Sequence, residues 1–74
     1  MERGGAMVVK ADRLPEGSCG VVVRARKTPR LQALGLTPGA TVYCKYKSRG
    51  IVVLEINDRL LALRRPLRKV WVDY

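Results

Sequence analysis

Tyr43, Lys45 and Lys47 fall at alternate positions of the segment Thr41 to Lys47, and Trp71 stands between two valines near the end of the chain. Rings interleaved with ammonium groups can stack bases while the cations follow phosphates. The same residue types anchor protein partners. They also make an ordinary solvated strand face, and each residue taken singly reads that way. A second set is Arg30 and Gln32, followed by Thr37. Arg30 offers a planar guanidinium fork to a partner carboxylate, which lysine does not reproduce. These seven residues are the candidates for partner binding.

Catalytic chemistry finds little support. The chain has no histidine, so the commonest general base and imidazole metal ligand are missing. The carboxylates are Glu2, Asp12, Glu16, Glu55, Asp58 and Asp73, and only Glu55 and Asp58 lie close in sequence. No serine, cysteine or lysine has a neighbouring base to activate it. Neither a phosphate-binding Gly-x-x-x-x-Gly-Lys nor a Gly-x-Gly-x-x-Gly is present. Cys19 and Cys44 are too few for a metal centre and are not in a Cys-x-x-Cys pair. They are expected to be reduced, half-buried structural thiols rather than a disulfide pair. No enzyme activity, cofactor or metal site is expected.

At 74 residues the sequence has the length of one domain. Its net charge of +9 suits an acidic partner, whether nucleic acid, an anionic membrane face or an acidic protein surface. It also suits a merely well-solvated surface. No apolar run approaches the ~18 residues of a membrane span, and Met1 to Lys10 has no signal-type apolar core. A cytoplasmic location is expected, with the inner membrane face reached through a partner. The first six residues, with two glycines and no periodicity, read as disordered.

The elements that must position these residues are short. Met7-Val8-Val9 suits a first strand or an edge segment. Leu14-Pro15-Glu16-Gly17 is a turn. Cys19 to Ala25 is a strand, and Gly20 would allow a bend or bulge in it. Thr28 can cap a helix that opens on Pro29 and runs to Leu34, held to the body of the protein by Leu31 and Leu34. Gly35 stops it in left-handed backbone, and Leu36 pins the chain. Pro38 and Gly39 then make a type II turn. In Thr41 to Lys47, alternation places Val42, Cys44 and Tyr46 inward and Tyr43, Lys45 and Lys47 outward. Ile51 to Ile56 returns, and Asn57-Asp58 makes a two-residue hairpin. That turn sets Ile56 opposite Arg59, Leu54 opposite Leu61 and Val52 opposite Leu63, with the last two pairs facing the core. Pro66 ends the next strand. In the final strand Val70 and Val72 share one face and Trp71 takes the other. About five short antiparallel strands and one short helix predict an all-β, SH3-like barrel.

The order of motifs along this framework resembles the FeoA family. The resemblance rests on Leu14-Pro15-Glu16-Gly17, Arg30-Leu31, Leu34-Gly35-Leu36, Pro38-Gly39, Leu61-Ala62-Leu63-Arg64 and Val70-Trp71-Val72, and runs from about Ala11 to Val72. The family's frequent Gly-Asp-Pro hairpin is replaced by Lys47-Ser48-Arg49-Gly50. The resemblance implies an SH3-like fold with Gly17, Leu31, Leu34, Gly35, Leu36, Pro38 and Gly39 in structural roles. It also implies an accessory part in ferrous-iron uptake through FeoB, a membrane transporter with a cytosolic GTPase domain. The alternative is a free-standing nucleic-acid-binding SH3-like barrel. A third reading is a relative of the SH3-like domain that follows metal-dependent repressors.

Overall fold

The computed structural model describes residues 7–74, so the expected disorder of the first six lies outside the described residues. Numbered in chain order, the strands are β1 (Val8–Lys10), β2 (Cys19–Ala25), β3 (Thr41–Lys47), β4 (Ile51–Ile56), β5 (Arg59–Arg64) and β6 (Val70–Asp73). A 3-10 turn, Ala11–Arg13, follows β1, and the helix α1 (Pro29–Ala33) separates β2 from β3. Asn57 and Asp58 both adopt left-handed backbone, with φ of 54° and 64°, as a type I′ hairpin requires. The turn locks β4 on β5 in the register the spacing predicts: Ile56 opposite Arg59, Leu54 opposite Leu61, Val52 opposite Leu63.

All the strands join one antiparallel sheet in the order β1-β6-β2-β3-β4-β5. Val22, Val42, Val52, Leu54, Ile56, Val70 and Val72 come from four different strands, β2, β3, β4 and β6, yet each is at most 1% exposed. A lone sheet can bury a face that completely only by curling round it. Leu14 and Leu36, from the connecting segments, are buried in the same core. The fold is the expected small SH3-like all-β barrel. Among the described residues it has six strands rather than about five, because Val8–Lys10 adds to β6 with Val9 opposite Val72.

Two irregularities decide which side chains reach the surface. In β3 the register shifts between Cys44 and Tyr46: Cys44 opposes Leu54, but Tyr46 opposes Val53 and Lys47 opposes Val52. A bulge adds one residue to one strand and resets its alternation. Tyr46, expected in the core, is therefore 56% exposed. Lys47, expected outward, comes to the side of Val52 and is half-buried. In β2 the shift lies between Val22 and Arg24, which sets Arg24 rather than Val23 beside Trp71. Gly20 is not the bulge. A Cβ there would lie 2.9 Å from the Asp73 carbonyl oxygen, so this glycine permits a close backbone approach between β2 and β6.

The 3-10 turn was not legible from composition, and it brings in a buried charge. Asp12 is 3% exposed, and its Oδ2 lies 3.5 Å from Nε of Arg65. The same guanidinium donates to the carbonyl of Ser48 at 2.5 Å, while the backbone N–H of Arg65 donates to the Gly50 carbonyl at 2.9 Å. Arg65 thus ties the Ala11–Arg13 turn, the β3–β4 turn and the end of β5 together. Arg65→Ala should lower unfolding stability by about 3 kcal/mol, because it strands a buried carboxylate. Chemical denaturation measures this. Gly39 has φ of 96° with open space around it, so Gly39→Val should cost about 1–3 kcal/mol through backbone strain alone. Gly50→Ala, also in open space but with no such backbone demand, should be near neutral in the same assay.

Candidate functional site

The short helix owes its geometry to both ends. Thr28 Oγ1 accepts the N–H of Leu31 at 3.2 Å, and Pro29 occupies the first turn. At the other end Gly35, with φ of 85°, donates to the Gln32 carbonyl, and Leu36 donates to that of Leu31, both at 3.0 Å. This pair of bonds is a Schellman stop. It turns Leu36 into the core, where it is 1% exposed, and leaves Leu31 and Leu34 half-buried against the barrel. The helix ends at Ala33 with Leu34 as its cap, one residue short of the expected boundary.

Leu31 and Leu34 do not seal against the strands. With Leu63, Leu67 and Val70 they form the floor of a groove of about 300 Å³ between α1 and the β5–β6 connection. Arg30, Arg64, Arg68 and Lys69 line it as well, and all four are exposed. An apolar floor bordered by cations can take the apolar face of a segment whose flanks are acidic. Among the described residues no carboxylate lines the groove.

The expected binding residues are not brought to one place. Arg30 lines the groove. Gln32 is exposed on the same helix, and Thr37 is half-buried in the following turn, where its carbonyl accepts the N–H of Ala40 at 3.1 Å. Tyr43 is 47% exposed on β3, between Cys19 on β2 and Glu55 on β4. Lys45 pairs with Glu55 at 3.2 Å. The backbone N–H of Lys47 donates to Glu16 Oε2 at 2.6 Å. Trp71 lies across the barrel on β6, half-buried, with the Arg24 guanidinium 5.0 Å from its ring centre, a cation–π distance. The outer face of β3 and the Trp71 face are separated by β2. Arg64, Leu67, Arg68 and Lys69 were missed. The signal for them was the basic run around Pro66, which reads as a solvated loop until α1 is seen beside it.

The two thiols differ in kind. Cys44 is fully buried and Cys19 is exposed, and both are free. Desolvation is the largest effect on Cys44 and pushes its pKa up, with Lys47 opposing and Glu16 reinforcing. Among the described residues no three of His, Cys, Asp or Glu cluster as a metal site.

The fold places the chain in the class of small SH3-like all-β barrels, here with a short helix and an apolar groove beside it. The chain matches the FeoA domain over residues 9–73 and belongs to the FeoA family. Its fold is similar to that of a crystal structure described as an iron uptake regulatory protein (FeoA), with TM-score 0.79 and 27% identity over 90% of this chain and 97% of that one. A manganese-dependent transcriptional repressor also matches, with TM-score 0.76 and 16% identity over 89% of this chain and 41% of the repressor. That second likeness is one of fold. No individual curated sequence matches significantly.

A thiol reagent should modify Cys19 in the folded protein and reach Cys44 only on unfolding. Thiol counting with and without denaturant tests this. The raised pKa of Cys44 stabilises the folded state below the ordinary thiol value of 9.0. That contribution should be lost as pH rises through the folded-state value, and Cys44→Ala should remove this part of the alkaline fall in stability.

Proposed function

We propose that this chain is a non-catalytic accessory module of ferrous-iron uptake, and that it works by docking on the cytosolic side of an FeoB-type transporter. The observation that carries the reading is the apolar groove beside α1, bordered by Arg30, Arg64, Arg68 and Lys69, on a chain of the FeoA family. The occupant it fits is an amphipathic segment with acidic flanks. Leucine side chains on the floor supply burial, and the cations select the partner by charge and speed its approach. Gln32 and Thr37 do not line the groove, so Arg30 is the expected binding residue on which this reading rests. Among the described residues no helix is long and apolar enough to cross a membrane, which suits a module that reaches the transporter by docking.

The nucleic-acid reading has less to stand on. Lys45 is already paired with Glu55, Trp71 already carries Arg24 over its ring, and Lys47 does not extend the outer face of β3. A stacking platform needs open rings between uncommitted cations.

Deleting the gene should lower ferrous-iron accumulation under iron limitation, and Arg30→Glu should fail to restore it while folding normally. Radiolabelled iron uptake and circular dichroism measure the two. Unchanged uptake in the deletion strain sinks the accessory role. Full rescue by Arg30→Glu, with failure of a Lys45→Glu/Lys47→Glu variant, moves the interface from the groove to β3.

A further inference from the structure

A second concavity, of about 560 Å³, lies on the other side of the β5–β6 connection. We propose that it binds a small polyphosphate, such as inorganic pyrophosphate or the phosphate chain of a nucleotide. Five cations line it: Lys10, Arg13, Arg49, Arg65 and Arg68. They arrive from the end of β1, the 3-10 turn, the β3–β4 turn and the β5–β6 connection, so the tertiary fold, not a sequence run, collects them. Like charges gathered in one cleft repel, and a bound anion relieves that repulsion.

Among the described residues, the one carboxylate lining the cleft, Asp12, does not neutralise this set. Asp12 is directed to Arg65 through Oδ2, and its Oδ1 is buried with no hydrogen-bond partner among the described residues. Its effect is positional. Held by Asp12 and by the Ser48 carbonyl, the Arg65 guanidinium is set in place before a ligand arrives. Such pre-ordering reduces the entropy lost on binding. Four of the five cations are arginines, whose planar donor sets match phosphate oxygens two at a time.

The shape selects among anions. The cleft is of the size that holds small-molecule ligands, larger than one carboxylate needs. Among the described residues no aromatic side chain lines it, so they offer no stacking surface for the bases of a single strand. The Arg65 side chain is only 24% exposed, set back from Lys10, Arg13, Arg49 and Arg68, which are all exposed.

The test uses the full chain and titrates pyrophosphate and tripolyphosphate at about 0.15 M salt, followed by amide chemical shifts and calorimetry. Arg13→Ala/Arg49→Ala removes two exposed cleft cations and leaves the Arg65 bridge intact. Lys27→Ala/Arg59→Ala removes the same charge from elsewhere. Arg68 is left alone because it also lines the helix groove, so the outcome is independent of the docking proposal. The expected result is saturable binding with shifts at Arg13, Arg49 and Arg65. Affinity should fall about tenfold or more in the cleft variant, since two charge-assisted contacts are lost, and change little in the control. Equal losses in both variants would mean diffuse attraction and would overturn the proposal. So would saturable binding confined to phosphatidylglycerol vesicles or to an oligonucleotide, with no response to pyrophosphate.

Discussion

The bridge from Arg65 to Asp12 and Ser48 is the contact on which the groove and the cleft depend. A curled sheet of short strands has two edges, here β1 and β5. The chain segments near them are joined through one guanidinium, which meets a buried carboxylate on one side and a turn carbonyl on the other. Burying a charge is costly unless it is paired, so the sequence cannot change one partner alone without loss. Immediately after Arg65 the chain enters Pro66 to Lys69. That short connection separates the apolar groove from the cationic cleft, and Pro66 and Arg68 line both.

The two bulges set the character of the remaining surface. Each resets the alternation of a strand without disturbing the inward row before it. In β2 the core keeps Val22 and the surface gains Arg24 over Trp71. In β3 the core keeps Val42 and Cys44, and the surface gains Tyr46 at the expense of Lys47. The outer aromatics and cations are thereby distributed over two faces rather than assembled into one. At the helix groove, by contrast, an apolar floor and a cationic border do meet.

Much of this protein was legible in the chain itself because the relevant physics is local. Asn57-Asp58 tolerates left-handed backbone and so defines a hairpin and its register. Thr28, Pro29 and Gly35 bound a helix through caps that involve neighbours within a few residues. Gly39 takes the positive φ its turn requires. These local signals, in their order, also sufficed to indicate the FeoA family and an SH3-like barrel. Of the candidate site, Arg30 was legible for the same reason: its place on a capped helix puts it outward.

What the sequence could not decide depends on contacts between distant segments. Strict alternation in Thr41 to Lys47 points Tyr46 inward, and only pairing with β4 reveals the extra residue that turns it out. Nothing near Asp12 in the sequence marks it for burial; Arg65, far along the chain, closes over it. The basic run around Pro66 reads as a solvated loop until α1 packs beside it and makes one side of it a groove. Backbone preference and capping act over a few residues and are written in the order of amino acids. Bulges, buried ion pairs and clefts come from the closing of the sheet, and are determined only when its strands meet.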